Sequence, residues 1–98
     1  IQVATLERAG LVIRREDRPG HYDRYRGRVI FPIRDPLGRC IAFGGRILPG
    51  AQQDSAKYIN SPETPLFSKS SVLYGLDSAR TAISTSKRAV VVEGYTDC

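Results

Sequence analysis

An α+β fold is what this sequence predicts: a small mixed domain with an antiparallel β-hairpin sheet and one main helix, followed by the first strand of a separate α/β domain. Three stretches predict it. From Arg28 to Arg34 the side chains alternate, with Val29, Phe31 and Ile33 on one face and Arg28, Ile30, Pro32 and Arg34 on the other, which is the period of a strand. From about Ser71 to Ser84, Leu73, Leu76, Ala79, Ala82 and Ile83 recur at helical spacing and give one apolar face. Ala89 to Val92 is a continuous apolar run, the pattern of a parallel strand covered on both sides.

Each element follows from local chemistry. Val3 and Leu6 mark a short helix over residues 2–9, with Gly10 as its stop. The charged stretch from Arg14 to Gly27 contains Pro19 and Gly20 and reads as a loop or an edge excursion. Pro32 places the first strand at an edge or a bulge. Asp35, Pro36, Leu37 and Gly38 form a turn, and Arg39 to Phe43 returns as the second strand of a hairpin. Gly44 and Gly45 remove side chains where the backbone bends or something approaches closely, and Arg46, Ile47 and Leu48 continue the sheet or leave it. A polar loop runs to Ala56, longer than expected, and Lys57 to Asn60 is a short extended piece. Pro62 and Pro65 forbid a helix through the next segment. Ser70 or Ser71 is placed to cap the main helix.

The bulk numbers set limits. At 98 residues the chain supports one small core with little stability to spare. Hydrophobic residues make up 41% and charged residues 26%, a globular balance and not a disordered one. The formal charge is +5, and only Lys57, Lys69 and Lys87 among the fifteen bases are not arginine. Arginine's planar fork suits phosphate oxygens, so the excess points to polyanions as well as to solubility. Cys40 and Cys98 come with no CxxC and only His21, so a structural zinc is not expected in this chain. No apolar run approaches the roughly 18 residues of a membrane span. The missing initiator methionine and the abrupt end on Cys98 read as an excised piece.

Three groups of residues carry chemistry. Tyr25, Arg26, Arg28, Arg34 and Arg46 put bases and an aromatic on or beside the hairpin sheet, and Arg28 and Arg34 share one side by strand period. Either a nucleic-acid face or a solvated edge has this composition. Lys57, Tyr58 and Asn60, then Phe67 and Lys69, combine ammoniums, an amide and aromatics that hold phosphates and stack a base, or else an ordinary loop with Tyr58 and Phe67 in the core. Glu93 ends the valine run and precedes Gly94, at the carboxyl end of a strand, where ligand sites of open α/β sheets gather. A carboxylate there joins a metal site or assists proton transfer, and Asp97 lies close behind it; a strand-end Glu capping a loop is the plain alternative.

The runs YRGRVIFPIRD (Tyr25 to Asp35), GRCIAFGGR (Gly38 to Arg46), KYINSPET (Lys57 to Thr64), LYGL (Leu73 to Leu76) and VVEGYTD (Val91 to Asp97) resemble, in order and spacing, the RNA-polymerase core of bacterial DnaG-type DNA primases. The likeness covers the chain from Leu11 onward. It implies a basic N-terminal subdomain of the primase core over residues 1–86 and a truncated start of the Toprim domain over residues 87–98. It implies synthesis of short RNA primers by the complete enzyme, with this piece binding template and nucleotide and inactive alone. Arg26, Arg28, Arg34, Arg46 and Tyr58 then contact single-stranded DNA, and Lys57, Asn60 and Lys69 handle the nucleotide. Glu93 matches the Toprim glutamate, catalytic and a possible metal ligand, the remaining ligands lying outside this chain.

The resemblance further implies Mg²⁺ or Mn²⁺ in the complete enzyme, none tightly bound to this piece, and zinc only in a domain absent here. Expected partners are the single-stranded DNA template, ribonucleoside triphosphates and, through another absent domain, the replicative helicase. The expected location is the bacterial cytoplasm, with no membrane partner. Ser70, Ser71, Thr96 and Cys98 depart from the usual residues of the motifs. Two other readings use the same residues: a different Toprim enzyme, which leaves the hairpin and KYINSPET unexplained, and a non-enzymatic single-strand nucleic-acid-binding module.

Overall fold

The computed structural model describes residues 1–51 and 56–98; residues 52–55 of the expected polar loop lie outside the described residues. A short helix α1 (Val3–Arg8) leads through Gly10, whose φ of +72° suits a residue without a side chain. A β-carbon at Gly10 would also sit 2.6 Å from Pro62 Cδ. The stretch expected as a loop or an edge excursion belongs to a hairpin, β1 (Val12–Arg14) and β2 (His21–Asp23), paired antiparallel with Ile13 opposite Tyr22. Strands of three residues in so charged a sequence carry too little alternation to be read. Cross-strand pairing and the guanidiniums of Arg15 and Arg26, at 5.4 and 4.7 Å from the Tyr22 ring centre, support the hairpin instead.

The main sheet has the order β3–β4–β5, from β3 (Arg28–Arg34), β4 (Cys40–Ile47) and β5 (Tyr58–Asn60). As Pro32 demands, β3 is an edge strand. The Asp35–Gly38 turn closes with Gly38 N–H donating to Asp35 O at 2.9 Å. Burial pulls the Asp35 carboxyl upward, but the Arg39 and Leu37 N–H groups and the Arg39 guanidinium outweigh it and hold its pKa below the ordinary value. The second strand runs past its expected end at Phe43, because Gly44, Gly45 and Arg46 pair on both sides.

Two register rows define one face of this sheet. Phe31, Gly44 and Asn60 form one row across the strands, and Val29, Arg46 and Tyr58 form the next row on the same face. The core lies on this face and consists of Ile33, Ala42 and Phe67, with Val72, Tyr74 and Tyr95 against it. Val29, expected in the core, is 45% exposed, because it sits at the far end of the strand from Ile33.

Two expectations fail in the C-terminal third. The main helix α2 (Leu76–Ser86) begins after Gly75, not at Ser71, because Gly75 adopts φ +81° and a left-handed residue interrupts a right-handed helix. Lys69–Ser71 makes a single 3₁₀ turn instead, and neither Ser70 nor Ser71 caps α2. Arg80 fixes the helix by donating to Pro36 O at 2.7 Å. Ala89 to Val92, expected as the first strand of an α/β domain, pairs with no strand among the described residues. Val90 and Val91 are 89% and 82% exposed. Propensity alone does not make a strand; its backbone groups need a neighbour, and none of the described strands lies alongside.

Candidate functional site

Gly44 and Gly45 are successive residues of a central strand and therefore face opposite sides of the sheet. Each side receives one tyrosine. A β-carbon at Gly45 would stand 3.0 Å from the Tyr25 ring and 3.2 Å from Arg28 Cδ. The Tyr25 hydroxyl lies 2.8 Å from Ser61 Oγ and donates to Phe43 O at 3.2 Å. Ser61 is fully buried, and its Oγ also accepts from Phe43 N–H at 2.9 Å. This is a closed structural knot, and it removes Tyr25 from the candidate nucleic-acid contacts.

On the opposite face a β-carbon at Gly44 would stand 2.5–2.6 Å from three atoms of Tyr95. The Tyr95 ring lies across the row Phe31, Gly44 and Asn60: it stacks on Phe31 with centroids 5.1 Å apart, and its hydroxyl donates to Asn60 Oδ1. Tyr74 meets Tyr95 edge to face at 4.7 Å. Burial, with the phenols of Tyr25 and Tyr74 nearby, raises the Tyr95 pKa above its ordinary value of 10.0, so the hydroxyl keeps its proton at neutral pH.

Beside this box opens a cleft of about 900 Å³, whose polar lining includes Tyr58, Asn60, Lys69, Glu93, Tyr95 and Asp97. Three candidates from the KYINSPET region thus meet the candidate carboxylate in one place. Lys69 is set there by its own N–H, which donates to Glu63 Oε1 at 2.9 Å. Arg46 places its guanidinium 5.9 Å from the Tyr58 ring centre across the strand pair, so a cation and an exposed aromatic adjoin the cleft on the same face.

The other sequence candidates lie elsewhere. Arg28 points to the Tyr25 face and donates to Ala56 O at 2.7 Å, Lys57 O at 3.3 Å and Gly45 O at 3.4 Å. It anchors the entry to β5 and lies on the face opposite Arg46, so the bases expected on or beside the hairpin sheet are divided between its two faces. Arg34 sits beyond a β-bulge and donates to Gly38 O at 2.9 Å. Arg26 rests on Tyr22 at the small hairpin. Neither these three nor Lys57 lines the cleft.

Among the described residues no three His, Cys, Asp or Glu side chains gather as a metal site. Glu93 and Asp97 are hard oxygen donors of the kind Mg²⁺ takes. One Asp97 oxygen already accepts from Gly94 N–H at 3.2 Å. Two carboxylates do not complete an octahedral shell, so the residues present fit part of such a centre only. No helix of the described residues is long and apolar enough to cross a membrane.

Fold and site together define a basic α+β module whose sheet carries a cation–aromatic pair beside a carboxylate-bearing cleft. Residues 1–80 match the family model described as DNA primase catalytic core, N-terminal domain, and the chain belongs to that family. It is 53% identical over 95 residues to a DNA primase of Synechocystis sp., a match covering 97% of this chain and 14% of that protein. The RNA polymerase domain of Mycobacterium tuberculosis primase DnaG superposes with a TM-score of 0.88 at 43% identity, over 99% of this chain and 31% of that one. A DnaG primase catalytic domain bound to single-stranded DNA gives 0.81 at 47% identity, over 96% of this chain and 28% of that one. The chain therefore spans about a seventh of the curated relative's length.

Sequence reasoning missed Tyr95, Ser61 and Arg24, which donates to Asn60 O at 2.9 Å. The signal for Tyr95 was a glycine pair in a central strand, which leaves room for a ring but does not say which one.

Proposed function

We propose that this segment handles template and nucleotide in a bacterial DNA primase, an enzyme that makes short RNA primers on single-stranded DNA. The observation that carries the reading is the meeting of Tyr58, Asn60, Lys69 and Glu93 around one cleft, inside a family defined by primase cores. The solved relative bound to single-stranded DNA supports the template partner.

Arg46 and Tyr58 contact the template, the guanidinium on phosphate and the ring against a base. Arg26 and Arg34 extend that contact more weakly, and Arg28 serves chiefly to hold β5. Asn60 and Lys69 take the nucleotide from inside the cleft, the ammonium meeting its phosphates, and Lys57 adds charge from outside. Glu93 serves catalysis as one carboxylate of a Mg²⁺ or Mn²⁺ centre completed by residues outside this chain, where divalent metal aligns and neutralises a triphosphate. The segment is inactive alone for that reason. Residues 1–86 form the template-handling subdomain and residues 87–98 the start of the Toprim domain, consistent with α2 ending at Ser86. Ribonucleoside triphosphates and, through a separate domain, the replicative helicase are its further partners, in the bacterial cytoplasm.

The test is template-directed primer synthesis by a primase core containing this segment, with Mg²⁺ and ribonucleotides. Glu93→Gln abolishes synthesis while leaving DNA binding nearly intact. Equal loss of both, or no synthesis from a folded, DNA-binding core, would move the assignment to a binding module.

A further inference from the structure

Asn60 is held at three points. Its backbone pairs with Gly44, its carbonyl accepts from Arg24 at 2.9 Å, and its side-chain Oδ1 accepts from the Tyr95 hydroxyl. Among the described residues its Nδ2 has no partner, and the residue is exposed at the cleft wall. An unpinned carboxamide offers either its oxygen or its nitrogen, and the hydrogen-bond network decides which.

The geometry points to Tyr95 as a positioning residue that fixes the Asn60 carboxamide with its NH₂ free in the cleft, so that the site takes an acceptor oxygen of a nucleotide. This rests on the nucleotide-handling reading of the cleft and adds to it the sign of the contact. Gly44 is part of the device, because any β-carbon there would displace the Tyr95 ring from the row it spans. Phe31 and Tyr74 fix the ring in plane, so the hydroxyl has one place to donate.

The experiment is a double-mutant cycle on MgATP binding to a primase core carrying this segment, using Tyr95→Phe, Asn60→Ala and both together. Tyr95→Phe keeps the stacked ring and removes only the hydroxyl. Loss of one hydrogen bond's orienting effect weakens binding about fivefold, and the proposal requires that this loss vanish in the Asn60→Ala background. Asn60→Asp, which retains an acceptor for Tyr95 but has no donor, binds as poorly as Asn60→Ala or worse. The Asn60 side-chain amide signals in nuclear magnetic resonance of the nucleotide-free core also shift on Tyr95→Phe. An equal loss with or without Asn60, or no loss in either background, overturns the positioning role. Should Asn60→Ala leave binding unchanged, the nucleotide reading fails and takes this inference with it.

Discussion

The two faces of the sheet at Gly44 and Gly45 receive the same kind of residue and use it differently. On the Gly45 side the Tyr25 hydroxyl is consumed by Phe43 O and the buried Ser61; every group in that knot has a partner within the fold. On the Gly44 side the Tyr95 hydroxyl reaches Asn60, whose amide nitrogen has no partner among the described residues. A closed network stabilises, while one left open at a cleft wall prepares a contact with something else. The difference separates a structural tyrosine from a functional one where the sequence shows only two tyrosines beside glycines.

The contrast between the faces breaks most readily at the glycines. Gly44→Ala, which drives a β-carbon into three Tyr95 atoms, destabilises the chain by about 3 kcal/mol, the upper end for overpacking, as read by chemical denaturation. Gly45→Ala costs about 1 kcal/mol, because its tightest neighbours are a ring edge and a flexible arginine stem; a larger cost than at Gly44 would reverse the ranking of the two faces.

Ser61→Ala leaves Phe43 N–H without its partner in a fully buried place and costs about 2 kcal/mol. Tyr25→Phe costs about 1 kcal/mol, whereas Tyr95→Phe, whose partner is exposed, alters thermal stability less than Tyr25→Phe does. Matching losses of stability from the two tyrosine variants would erase the distinction between them.

The basic residues sharpen the contrast further. Arg46→Ala lowers the salt slope of single-stranded DNA binding by about one unit, and Arg28→Ala leaves the slope unchanged while lowering the melting temperature, since its donors hold three carbonyls. A slope change from Arg28 of the same size would return it to the template contacts.

The smallest effect is with pH. Tyr95 has its pKa raised in the fold, so its docking is fully present below pH 10 and is lost as pH climbs through the raised value. Ultraviolet titration of the phenolate should show one tyrosine ionising late; its disappearance in Tyr95→Phe assigns it.

The sequence alone determined the α+β class, the β3–β4 hairpin with its Asp35–Gly38 turn, the extended piece at Tyr58–Asn60 and the existence of one main helix. These follow from alternation, turn chemistry and helical spacing, which act over a few residues. The resemblance placed the candidate site on Asn60, Lys69 and Glu93, and the fold brings those three to one cleft. Tertiary structure decided what depends on partners distant in sequence. It made a hairpin of a charged stretch, delayed α2 to Leu76, left Ala89 to Val92 unpaired, and put Arg28 and Arg46 on opposite faces. It also decided which tyrosine fills which glycine, because a glycine records only that space is left, and the residue that enters comes from another part of the chain.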